Sequence, residues 1–106
     1  MSDIVVSDAP GASRFEIHVD GALAGFAEYR LRDDGATVAV THTEIDDAYA
    51  GQGLAKQLAV AVLDGLRADG RALLPFCSFF RDYLAKHPEY VDLVPTAQRA
   101  QLDLDG

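Results

Sequence analysis

The feature that most constrains the fold is a change of hydrophobic period near the middle of the chain. Up to about Thr43, apolar and polar residues alternate, the period of two that marks half-buried strands. From Gly51 to Asp69 the period becomes helical: Leu54, Leu58, Val62 and Leu66 recur every four residues, and Ala55, Ala59 and Leu63 widen the apolar face. Lys56, Gln57, Asp64 and Arg67 are confined to a wedge of roughly 100°. A helix with so narrow a polar face is packed on more than one side or touches a partner chain.

The alternating half divides at its turns. Ile4-Val5-Val6 is a short apolar strand, and Asp8 to Ser13 reads as a loop. From Arg14 to Val19, Phe15, Ile17 and Val19 share one face while Arg14, Glu16 and His18 share the other. Asp20-Gly21 is a hairpin turn, because both positions tolerate positive φ. Leu23 to Arg32 returns with Ala27, Tyr29 and Leu31 on one face and Phe26, Glu28 and Arg30 on the other. After Asp33-Asp34-Gly35, the β-branched run Ala36 to Thr43 forms the last strand of an antiparallel meander. Beyond the long helix, Gly70 supplies the left-handed residue that ends it. Arg71 to Phe76 is a buried strand and Ser78 to His87 a second helix, stopped by Pro88. Glu89 to Leu93 adds one more turn, and the polar residues from Thr96 to Gly106 are expected to fray. The order β-β-β-β-α-β-α implies an α+β fold, a mainly antiparallel mixed sheet with helices packed against it.

Composition narrows the function classes. A chain of 106 residues is read as one domain, 1–106, able to form a core without metal or disulfide. Its single cysteine, Cys77, cannot form an intramolecular disulfide, and the first residues lack the basic flank and apolar run of a signal peptide. No stretch is apolar for long enough to span a bilayer as a helix. The expectation is a cytoplasmic protein, a monomer or weak homodimer, with no membrane partner. A net charge of −8 argues against nucleic acid. It suits a cationic partner, and it is equally the ordinary charge of a soluble surface.

Chemistry is concentrated where the period changes. Tyr49-Ala50-Gly51-Gln52-Gly53-Leu54-Ala55 lies between a strand end and a helix start. Glycines there let a ligand approach the backbone, and the first N–H groups of the helix have no intrahelical partner and carry partial positive charge. Together they suit a phosphate. Two glycines before a helix can also be a tight turn and nothing more. The segment is not a P-loop, since Lys and Ser/Thr do not follow the glycines, and it is not a dinucleotide fingerprint, since the third glycine and the parallel βαβ unit are missing.

The succession of strand, Gly-x-Gly, amphipathic helix, strand and short tyrosine-bearing helix resembles the core of the GNAT acyltransferases. The likeness extends over most of the chain. Phe15-Glu16-Ile17, Asp20-Gly21, Glu28-Tyr29, His42-Thr43-Glu44, Gly51 to Ala55, Pro75-Phe76-Cys77, Tyr83 and His87-Pro88-Glu89 are similar, in that order, to the short GNAT group called N-acetyltransferase domain-containing proteins. That group lacks the N-terminal helices of larger relatives and has a cysteine just after the strand that follows the long helix. The resemblance implies a minimal GNAT fold, with acetyl-CoA as co-substrate and its pyrophosphate on Ala50, Gly51, Gln52, Gly53, Leu54 and Ala55. The family's usual loop is Gln/Arg-x-x-Gly-x-Gly/Ala. Here Ala48 stands at the Gln/Arg position and Ala50 where arginine is frequent, which weakens phosphate binding more than it abolishes it.

Four residues are expected to carry the reaction. Cys77 follows a strand and opens a helix, a position that biases a thiol toward thiolate. The resemblance places it near the thioester, as an acyl-accepting nucleophile or a wall of the acetyl pocket; an inert buried cysteine is the plain alternative. His42 and Glu44 lie on one face of their strand, and either could take a proton from an attacking amine or could simply end the strand as a bonded pair. Tyr83 stands about where GNAT enzymes place the tyrosine that protonates the leaving thiolate, or it covers the core. His18 and His87 have no set of metal partners around them, so no metal is expected. Asp46 and Asp47 favour a helix start yet would repel a phosphate.

The function expected is N-acetylation of a primary amine, on a small molecule or a protein, by direct transfer from acetyl-CoA. The alternative is a CoA-binding interaction module with little or no turnover, because the helices that normally build the acceptor side are missing. A domain whose glycine loop is merely a turn is a third, weaker reading.

Overall fold

The fold was obtained as a computed structural model that describes residues 3–99. Five strands form a single sheet in the order β1-β2-β3-β4-β5: β1 Ile4–Ala9, β2 Arg14–Val19, β3 Ala22–Arg32, β4 Thr37–Ile45 and β5 Ala72–Pro75. β1 to β4 are antiparallel neighbours, and β5 joins β4 in parallel. The parallel pair is connected by α1, Leu54–Asp69, as a parallel crossover requires. α2, Ser78–Lys86, follows β5; a 3-10 segment Pro88–Leu93 and a short helical turn α3, Thr96–Arg99, come last. Fraying was expected from Thr96 onward; Thr96–Arg99 instead forms the helical turn α3, and 100–106 lie outside the described residues.

One core joins the sheet to both helices. It contains Ile17, Ala27, Tyr29, Val38 and Val40 from the strands, Leu58, Val62 and Leu66 from α1, and Phe80 and Leu84 from α2. α1 touches every strand on one side and the Pro88–Leu93 segment on another. There Arg67 bonds both carboxylate oxygens of Asp92, at 2.8 and 2.9 Å, and the carbonyl of Glu89 at 2.9 Å.

Several boundaries differ from those read in the sequence. β1 runs to Ala9 because its backbone pairs with β2 through Ala9↔Arg14, which hydropathy does not report. Leu31 is 51% exposed although it shares parity with buried Ala27 and Tyr29. α1 begins at Leu54, because Gly53 is left-handed, with φ 73°, and serves as the N-cap. The last meander strand continues to Ile45 and carries a bulge: Tyr29 pairs with Val40 and Glu28 with His42, so Thr41 is the extra residue.

Candidate active site

The bulge decides which way the candidate residues face. Strict alternation from the buried Val38 and Val40 would send His42 and Glu44 into the core. With Thr41 inserted, Thr43 takes the core side opposite Ala27, while His42 and Glu44 pair with Glu28 and Phe26 on the outer face. There the His42 Nε2 and a Glu44 carboxylate oxygen stand 4.0 Å apart, with side chains 56% and 62% exposed. The Phe26 ring lies 6.2 Å from the His42 ring and holds the Arg14 guanidinium 4.7 Å above its centre.

The bulge also marks where the sheet opens. The β4–β5 ladder ends at Val40↔Pro75, and the last tie is the Cys77 N–H donating to the Val40 carbonyl at 2.9 Å. Proline cannot donate, and the Phe76 N–H is turned back to the Leu74 carbonyl, so β5 can go no further. The chain then turns into α2. From Thr41 to Ile45 the side of β4 that would face β5 has no strand beside it.

Cys77 stands at the apex of this opening. It is the N-cap of α2, 7% exposed, and its thiol donates to the Thr43 hydroxyl at 3.2 Å. No side chain caps α2, so its first N–H groups point toward the same apex. Thr43 was not singled out from sequence. Its neighbours His42 and Glu44 carry the more conspicuous chemistry, and the only clue to it was its parity relative to them.

The glycine loop lies beyond the far end of the opening. Gly51 and Gly53 have φ of 79° and 73°, and a Cβ on either would meet nothing within 4 Å, so the backbone there is open to a ligand. The N–H groups of Gly53, Leu54, Ala55 and Lys56 have no acceptor among the described residues, and the first helical bond is Gln57 N–H to the Gly53 carbonyl, 3.2 Å. Lys56, a second residue missed from sequence, adds an ammonium one turn into α1 on the shallow groove that starts at Gly53. Its spacing of three from Gly53 was the available signal. Asp46 does not cap α1. Its carboxylate accepts from the Ala48 N–H at 2.9 Å and caps the separate turn Asp47–Tyr49. Glu44, Asp46 and Asp47, together with Leu23 and Phe26, line a cavity of about 370 Å³ between the start of β3 and the end of β4. Gly25 also lines it, and a Cβ there would stand 2.6 Å from the Glu44 carbonyl oxygen.

Tyr83 is held elsewhere. Its ring stacks on His87 with 4.1 Å between centres and borders Phe79 and Tyr90 at 6.5 and 6.3 Å. Six helical positions separate it from Cys77, about 9 Å along an axis. The structure therefore gathers Cys77 with Thr43 at the apex and His42 with Glu44 on the outer face, and it leaves Tyr83 in an aromatic cluster along α2. Among the described residues, no group of His, Cys, Asp or Glu is arranged to hold a metal ion, and no helix is long and apolar enough to cross a membrane.

Comparison with known proteins agrees with this architecture. The NMR solution structure of a GCN5-like protein from Staphylococcus aureus superposes with a TM-score of 0.65 at 26% sequence identity, over 90% of this chain and 91% of that one. The family model described as GCN5-related N-acetyl-transferase matches residues 14–93, from the start of β2 through the 3-10 segment after α2. With a parallel β4–β5 pair that opens at a bulge and a bare helix start at its end, the chain belongs to the GCN5-related N-acetyltransferase family.

Proposed function

We propose that this protein transfers the acetyl group of acetyl-CoA directly to a primary amine. The observation that carries the reading is the run of free N–H groups from Gly53 to Lys56, beyond the mouth of an opening that has Cys77 and Thr43 at its apex. Phosphate oxygens of CoA accept from those amides and from Lys56. The thioester then extends along the unpaired side of β4 toward the apex.

The amine arrives from the outer face. Glu44, Asp46 and Asp47 give the cavity there a negative lining suited to an ammonium group. Glu44 or His42, side by side at its edge, takes the proton from the amine, directly or through one water, and the neutral amine attacks the thioester carbon. Holding both reactants in one complex removes the need for a covalent enzyme intermediate. Acetyl-CoA chemistry and a single cysteine fit a cytoplasmic monomer or weak dimer.

One observation favours a second reading. His42 and Glu44 are more than half exposed, so the acceptor side is shallow, as expected of a CoA-binding module with little turnover. Melting curves with CoA, acetyl-CoA, NAD and ATP test the binding that both readings share. At one hundred times the dissociation constant CoA adds about 2.7 kcal/mol, and NAD and ATP add much less. No shift with CoA overturns both readings. A shift with no acetylation of any primary amine leaves the binding module.

A further inference from the structure

We propose that Thr43 protonates the departing CoA thiolate, with its own proton replaced by that of the Cys77 thiol. The inference rests on the acetyltransferase reading and assigns its last step. A GNAT enzyme needs an acid at this step, and Tyr83, the residue expected to serve, is stacked on His87 well along α2. At the apex itself, two groups that can pass a proton are already joined: the Cys77 thiol donates to Thr43 Oγ1 at 3.2 Å. With that lone pair occupied as acceptor, the hydroxyl proton of Thr43 is free to donate into the opening, on the side where β4 has no strand beside it.

A threonine hydroxyl alone is far too weak an acid to give up a proton. Coupled to a thiol it need not do so on balance. As the carbon–sulfur bond of the tetrahedral intermediate breaks, its electron pair passes to the CoA sulfur, which takes the Thr43 proton. Thr43 takes the Cys77 proton in the same motion and stays neutral, and Cys77 ends as thiolate. Proton donor and acceptor are both alkyl thiols, so the transfer is nearly balanced in energy. The new thiolate lies at the N-terminus of the nine-residue α2, whose uncapped N–H groups stabilise negative charge. The proton earlier removed from the amine by the base returns to Cys77 through solvent. The sum is amine plus acetyl-CoA giving amide plus CoA thiol, and no acyl group resides on the protein.

The test compares acetyl-CoA with its selenium analogue, whose selenolate departs without needing a proton, in Thr43→Val, Thr43→Ser and Cys77→Ala. Valine keeps the β-branch that a strand favours and removes only the hydroxyl. With acetyl-CoA, Thr43→Val and Cys77→Ala are expected to lower kcat about 100-fold, the usual scale for a lost general acid, with little change in acetyl-CoA affinity. Thr43→Ser is expected to retain turnover, and the selenoester to restore both impaired variants. Wild-type kcat in Thr43→Val, or an equal loss with the selenoester, overturns the relay. An acetyl adduct on Cys77 that discharges to amine at a competent rate overturns it as well. Those outcomes leave the acetyltransferase reading standing, whereas a wild-type protein that binds no CoA by calorimetry overturns both.

Discussion

Replacing Gly53 with valine separates a phosphate site from a turn, and the structure supplies its own control. Gly53 begins α1 and Gly70 ends it, with φ of 73° and 68°. At neither position would a Cβ meet an atom within 4 Å. The backbone cost of a side chain in the left-handed region, about 1–2 kcal/mol and more for a branched one, therefore falls on Gly53→Val and Gly70→Val alike. A drop in Tm on the order of 10 °C follows for a domain of this size. The consequences for CoA differ, because the open space at Gly53 is where the phosphate must approach and the space at Gly70 is a helix length away. Each hydrogen bond to a charged phosphate contributes about 1.5–3 kcal/mol, so losing one or two weakens CoA binding by at least about tenfold and up to roughly twenty-thousandfold. Urea melts of the two apo variants, run beside calorimetric titration with CoA, measure the two effects separately. Equal CoA affinity in both variants would refute the assignment of the loop, and a much larger stability loss at Gly53 would show that the residue acts as a structural cap.

Further expectations concern the base, the sheet and the last turn. The double variant His42→Ala/Glu44→Gln should lose about 100-fold in kcat while calorimetry shows unchanged acetyl-CoA affinity; full turnover would mean that the amine binds already neutral. Tyr29 is buried and donates to an Asp8 carboxylate oxygen at 2.6 Å, and burial first, then this bond, pushes its phenol up to about 12. Folding thus favours the protonated phenol, so this contribution is complete below pH 10, the usual tyrosine value, and is lost as pH rises toward 12. Melts across that range should fall more steeply for the wild type than for Tyr29→Phe. Arg67→Ala should release the Pro88–Leu93 segment from α1, read as faster amide exchange there with the β2–β4 exchange rates unchanged. The Arg67 guanidinium also holds the Asp92 carboxyl below its usual range, so this tie weakens as pH falls through the depressed value.

The sequence by itself determined the kinds of element and their order. Alternation in Phe15-Glu16-Ile17-His18-Val19, the four-residue recurrence from Leu54 to Leu66, Asp20-Gly21 between strands and Gly70 after a helix all act between near neighbours, so each could be read in place. The bare amide groups at the glycine loop were legible for the same reason, because a helix start leaves its N–H groups free in any context. The orientation of the site was decided only by the tertiary structure. Parity along β4 would have turned His42 and Glu44 inward. The inserted Thr41 turns them out and brings Thr43 to Cys77, thirty-four positions along the chain. A bulge is fixed by how β4 registers against β3, and the opening by the point at which β5 stops at Pro75. Neither is a property of the residues beside it. The place of Tyr83 followed likewise from its packing against His87 and Tyr90, which the fold brings together and the spacing along α2 could not foretell.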